Sequence, residues 1–137
     1  MGIVYQHIRL SNAAKPNLEE LDANALVDSG AYDLCIPKLV QQQLKLEKVE
    51  DRQITLADGR TIVVDYVGPV KVEVFGRHAF TGAMVTGDQV LLGAIPMEAM
   101  DVLIDPRRHQ LIPNPEHPNI PGGMAVGVHP AKRDDNA

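Results

Sequence analysis

The feature that most constrains this chain is the rhythm of its turn signals. Ile54 and Leu56 alternate with polar neighbours before Ala57-Asp58-Gly59-Arg60, and Ile62 and Val64 alternate after it. Val70, Val72 and Val74 alternate with Lys71, Glu73 and Phe75 up to Gly76-Arg77, and residues 79–85 return as their partner. Residues 102–104 and 110–112 flank Asp105-Pro106-Arg107-Arg108. Period-two alternation puts successive side chains on opposite faces of a strand, and Gly, Asp and Pro at these intervals close hairpins. Asp-Gly between alternating runs predicts a tight turn with φ > 0 at both of its central positions. Punctuation this dense leaves space for short strands and at most brief helices.

The rest of the chain fits the same scheme. Residues 4–10 alternate loosely and read as a strand, and 11–17 read as a loop. An apolar strand over 22–27 runs into Asp28-Ser29-Gly30, and Leu34-Cys35-Ile36 forms another short run. Pro37 suits the first turn of a helix, because its missing N–H is not needed there. The helix it opens spans 38–44, with Leu39, Val40 and Gln43 on one face and Leu44 closing it. Residues 46–51 are charged and carry no clear period. Val90-Leu91-Leu92-Gly93 leads into a second short helix near Pro96. From residue 113 onward there are five prolines and three glycines with little apolar periodicity. The reading is an all-β domain of sandwich or barrel type over residues 1–113. An extended or disordered tail over 114–137 follows it.

Composition excludes several function classes. Net charge is −5 and the 13 basic residues do not gather in one stretch, which argues against nucleic acid or a membrane surface as partner. No apolar run approaches the ~18 residues of a membrane span. Residues 1–10 are too polar for a signal peptide. Cys35 is the single cysteine, so no intrachain disulfide forms, and between Leu34 and Ile36 it reads as a buried core thiol. The expectation is a cytoplasmic protein. His7, His78, His109, His117 and His129 show no paired ligand spacing, so neither metal nor cofactor is expected. His117 and His129 read as solvated tail residues.

The chemistry centres on Ala25-Leu26-Val27-Asp28-Ser29-Gly30-Ala31. A carboxylate leaving an apolar strand, followed by a hydroxyl and a glycine, is a candidate catalytic group. Gly30 allows backbone to approach it closely. Taken alone, the triplet suits an ordinary turn as well as a site, since Asp, Ser and Gly are all turn formers. The surrounding order of motifs is more specific. Leu26-Val27-Asp28-Ser29-Gly30-Ala31, then the Asp58-Gly59 hairpin, then Val90-Leu91-Leu92-Gly93, then the Asp105 hairpin together resemble the retropepsin-like aspartic peptidases, most closely their small bacterial members.

That resemblance implies a closed acid-protease barrel with a flap hairpin, functional as a symmetric homodimer. It implies Asp28, Ser29 and Gly30 as the catalytic triplet. The flap tip Ala57, Asp58, Gly59 and Arg60, together with Ala31, would contact an extended polypeptide substrate. Leu91, Leu92 and Gly93 would support the Asp28 loop from behind. The chain has one such triplet, so the second carboxylate would come from an identical copy across a two-fold axis. Two features depart from the pattern: Ser29 stands where Thr is commoner, and Ala94 follows Gly93 where retroviral members carry an arginine that braces the dimer. Dimer support would then come from the 102–112 hairpin and the N-terminal strand. The implied activity is aspartic endopeptidase. The alternative is a peptide-binding or assembly module of the same fold that cleaves little, and a third possibility is trimming of the chain's own tail.

Overall fold

A computed structural model describes residues 2–125. Nine strands and two short helices follow one another along them: β1 Val4–Asn12, β2 Leu21–Val27, β3 Leu34–Ile36, α1 Lys38–Gln43, β4 Glu47–Thr55, β5 Thr61–Val74, β6 Arg77–Val85, β7 Leu91–Leu92, α2 Ala94–Met100, β8 Val102–Asp105 and β9 Gln110–Pro113.

Six strands close into a barrel in the order β1-β2-β7-β3-β6-β5, and β5 pairs back to β1. Closure depends on β1 serving two neighbours. Residues 4–10 pair antiparallel with β2, and Arg9–Asn12 pair antiparallel with Glu73–Val70 of β5. β5 in turn exchanges partners partway along. Its first half pairs with β4 up to Gly68, and its second half takes β1 from Val70. Pro69 lies at the exchange and has no N–H to donate to either neighbour. β4 therefore projects beyond the ring as an edge strand. β8 and β9 form a separate two-stranded sheet.

The core fills the barrel with the inward residues of the alternating strands. Leu10, Leu34, Ile36, Val70, Val72 and Leu92 have essentially no exposed surface, and Met100 of α2 and Leu111 of β9 are buried in the same core. Val70, Val72 and Val74 are buried while Lys71 and Glu73 between them are only partly so, which is the alternation the sequence shows. Asn12 is a buried polar side chain. It donates to the carbonyls of Leu44 and Lys45 at 3.0 and 3.2 Å and accepts from Ala14 N–H at 3.0 Å, so it fastens the turn after α1 to β1. Among the described residues no buried side-chain polar atom lacks a partner.

Three local expectations are corrected. The unassigned residues 47–51 are strand: together with Arg52 they carry the charge on β4, and Lys48 reaches Asp51 at 2.7 Å and Asp65 at 3.3 Å. Charges along an edge strand discourage pairing with other chains. The α1 face is also misplaced. Leu39 and Gln43 are exposed and Val40 is half-buried, and of the expected face only Leu44 is buried, just beyond the helix and joined there by Leu46.

The third correction concerns the turns. At Asp58-Gly59 only Gly59 has positive φ, at 88°. Leu56 and Arg60 bracket a three-residue loop through Leu56 N–H to Arg60 O at 2.8 Å and Gly59 N–H to Leu56 O at 2.9 Å. The Asp58 carboxylate explains the choice, since it accepts the Arg60 N–H at 3.0 Å and the Arg60 guanidinium at 2.6 Å. The Arg60 N–H, then its guanidinium, holds that carboxyl below its ordinary range. The turn with two positive φ values lies instead at Phe75 (54°) and Gly76 (72°), between the paired Val74 and Arg77.

Candidate active site

The Asp28 loop joins β2 to β3, and β7 slips between those two strands. β7 pairs parallel to β2, Leu26 to Leu91 and Val27 to Leu92, and antiparallel to β3 at Cys35. Backbone bonds from Leu26 N–H to Val90 O at 2.9 Å and from Asp28 N–H to Leu92 O at 3.0 Å continue the ladder to the acid itself. Asp28 is thus held at the last rung of a strand whose inward residues, Ala25 and Val27, are buried.

Past that rung the chain leaves the sheet. The Asp28 carboxylate accepts the Gly30 N–H at 2.9 Å and its carbonyl accepts the Ala31 N–H at 3.2 Å. A Cβ on Gly30 would lie 3.2 Å from that carboxylate oxygen, so glycine permits the tight turn. Behind the turn sits Gly93, where a Cβ would meet Asp33 O at 2.3 Å and Ala31 O at 2.8 Å. Without a side chain there, the first residues of α2 come close enough to donate into the loop. Ala94 N–H bonds Ala31 O and Ile95 N–H bonds Tyr32 O, each at 2.8 Å. Leu92 is fully buried and Leu91 half-buried.

Asp28, Ser29 and Gly30 are exposed. Two hollows flank them. A cleft of about 420 Å³ is lined by Gly30, Ala31, Tyr32, Asp33 and Cys35 on the loop side, and by Gln53, Ile54, Thr55 and Met84 opposite. A shallower groove of about 280 Å³ runs from Ser29 across Ala94, Met97 and Glu98 to Val102–Ile104. Of the expected contact residues Ala31 lines the cleft, whereas Ala57, Asp58, Gly59 and Arg60 stand outside it. The β4 arm of that hairpin, residues 53–55, forms the wall instead. Gln53, Ile54 and Thr55 are the last three residues of β4, the strand that ends the sheet order.

Cys35, read from sequence as a buried core thiol, is half-buried and lines this cleft. Burial first, and then the charge of Asp33, push its thiol pKa up, so it stays protonated. The alternation at Ile54 marks the β4 arm as strand, but no signal in the sequence places that arm, and not the turn beyond it, against the Asp28 loop.

A second polar centre lies at the other end of α2. Asp101 is the helix's C-cap, at φ 56°. Its carboxylate accepts from Asn114 at 3.0 Å and Gly122 N–H at 2.7 Å, and the His117 ring lies at 2.7 Å. Buried Arg77 donates to Asp101 O at 2.9 Å and to His117 O. The Asn114 amide first, then the Gly122 N–H, with His117 adding to them, hold the Asp101 carboxyl at about 2, against the opposing effect of desolvation. His117, taken as a solvated tail residue, is therefore a structural one. Of the expected tail, residues 114–122 fold back onto α2, and 126–137 lie outside the described residues.

Among the described residues no His, Cys, Asp and Glu cluster has the makings of a metal site, and no helix is long and apolar enough to cross a membrane.

The fold and loop define a closed six-stranded barrel that presents an exposed Asp-Ser-Gly turn at one rim. No protein-family model and no curated protein matches the chain. Among solved structures it is similar to EIAV protease complexed with the inhibitor HBY-793, at a TM-score of 0.49 and 20% identity, over 67% of this chain and 82% of that one.

Proposed function

We propose that this chain is one half of a homodimeric aspartic endopeptidase, with Asp28 supplying one of two catalytic carboxylates. The observation that carries the reading is the Asp28 loop itself. An exposed acid is fixed by backbone bonds to β7 and Gly30, the loop that follows it is held by the start of α2, and it opens beside a cleft bordered by the terminal strand of the sheet. Rigid support and an accessible carboxylate together are what a positioned acid or base needs.

One carboxylate does not complete the reaction. Two of them ~3 Å apart repel by roughly 5 kcal/mol at an effective dielectric near 20, so they retain one proton between them. The ionised partner takes a proton from water as that water attacks the peptide carbonyl, and the protonated partner donates to the carbonyl oxygen. The second copy is drawn to the same rim by the groove at Ser29 and by Leu103, an exposed leucine on β8. The free edge of β4 along residues 53–55 suits an extended polypeptide, whose backbone would add as a strand.

A second reading has its own support. The 420 Å³ cleft is complete within one copy, whereas the acid pair is not. A module that binds extended peptides without cutting them would need nothing more.

Incubation with unfolded casein between pH 4 and 7, beside an Asp28→Asn control, separates the two. Fragments that appear with the native chain and vanish with the variant support the peptidase. Identical gels, or sedimentation as a monomer at every concentration, defeat it and leave the binding module.

A further inference from the structure

The chemistry of the cleft wall is mixed in a particular way. Ala31, Ile54, Met84 and the protonated Cys35 make most of it apolar, and Gln53 and Thr55 add neutral polar groups. Asp33 is its one formal charge, and no cation lines it. Among the described residues no lysine, arginine or histidine forms an ion pair with Asp33. Arg52 feels the Asp33 charge, but its guanidinium is taken by Glu50 at 2.7 Å and lies over the Tyr66 ring at 4.0 Å. Beside Asp33 stands Tyr32, 75% exposed, on backbone locked by the Ile95 N–H and by the close approach of Gly93. It is the only aromatic residue on the cleft wall.

An apolar trough that ends at a half-buried carboxylate and an exposed ring matches one kind of side chain: a long aliphatic stem with a cationic head. Arginine and lysine bury their stems on apolar surface while the charge reaches outward. A guanidinium or ammonium is drawn both to a carboxylate and to the face of a tyrosine ring. The chain's net charge of −5 favours approach of basic segments.

We propose that the cleft selects polypeptide segments bearing an arginine or lysine, whose stem lies along Ile54 and Met84 and whose cation meets Asp33 and Tyr32. For the reaction this rests on the peptidase reading above, but selection by the cleft can be read separately.

The test uses pools of extended peptides that are random except at one position, fixed as arginine, norleucine or glutamate. Binding is titrated against the full-length Asp28→Asn protein, so that nothing is cut, and cleavage is followed with the native chain. The arginine pool is expected to bind roughly tenfold more tightly than the norleucine pool, the combined effect of a partly exposed ion pair and a cation–π contact. Adding Asp33→Asn shrinks that ratio below about twofold, and Asp33→Lys turns the preference toward glutamate. Tyr32→Ala, a change at an exposed side chain, lowers the ratio several-fold. Equal binding of the arginine and norleucine pools overturns the proposal, as does a preference that Asp33→Asn leaves intact. Arginine-selective binding without any cleavage upholds it while removing the peptidase.

Discussion

Two aspartates lie at opposite ends of α2, and their surroundings differ. Asp101 caps the helix's C-terminus and is saturated: an amide, a backbone N–H, an imidazole and a guanidinium all meet it, and its side chain is only 12% exposed. Asp28 belongs to the loop that the helix's N-terminus supports, and it is exposed, with Gly30 N–H as its single side-chain bond among the described residues. Both are held in place with care. At Asp101 the side chain itself is consumed in holding the structure. At Asp28 the backbone does the holding, and the carboxylate is left for something outside the chain. A polar group with its hydrogen-bonding capacity used up stabilises, and one that is positioned but unspent can react.

The sharpest way to break this comparison is to neutralise each acid in turn. Asp28→Asn is expected to lower casein cleavage by about 10³-fold, the scale of a lost general acid or base, with an unchanged melting temperature. Loss of stability in that variant would mean the carboxylate is structural after all. Asp101→Asn should do the reverse, lowering the melting temperature and leaving cleavage within a few-fold.

The backbone support of Asp28 is tested at Gly93. A methyl there meets carbonyl oxygens that belong to the loop, so Gly93→Ala is expected to cost about 1–3 kcal/mol in urea unfolding and most of the cleavage.

Acid distinguishes the saturated end. The Asp101 carboxyl titrates at about 2 in the fold against an ordinary 3.8, so the folded state binds its proton less readily than the unfolded one. Its contribution is therefore complete above about pH 4 and is lost as pH falls through 2. Hydrogen exchange of residues 114–122 should speed up over that window in the native chain, and the gap in melting temperature between it and Asp101→Asn should close. The smallest effect expected is at the Phe75-Gly76 turn, whose own residues touch neither acid. Phe75→Asn, at φ 54°, should stabilise by about 0.5–1 kcal/mol, since asparagine tolerates the left-handed region better than phenylalanine.

The two ends also differ in how legible they are in sequence. The Asp28 turn is announced locally, by an apolar strand running into Asp-Ser-Gly, and Leu91, Leu92 and Gly93 stand out as a second short motif whose place behind the turn only a family resemblance suggests. The Asp101 centre draws on residues 77, 101, 114, 117 and 122, which share no period and no motif, so only the folded chain brings them together. The cleft is legible on one side alone. Gly30 and Ala31 belong to the motif. On β4 the alternation at Ile54 marks an arm of a hairpin, but residues 47–51 are solvated and without period, and nothing in the arm itself says that it faces the Asp28 loop. The turn at Asp58-Gly59 misleads for a subtler reason: the Asp58 side chain, by binding the next-but-one N–H, draws its own backbone away from positive φ. Barrel closure through β1 and β5 leaves no trace in either strand taken singly.

The insertion of β7 between β2 and β3 has a consequence for biosynthesis. Translation delivers Asp28 early and Leu91–Leu92 much later, and until they emerge from the ribosome the acidic turn has no rung to end on. A nascent or prematurely terminated polypeptide carries the motif without its shape. Quality control of the site is therefore written into the direction of synthesis, because only a chain made through α2 can hold it.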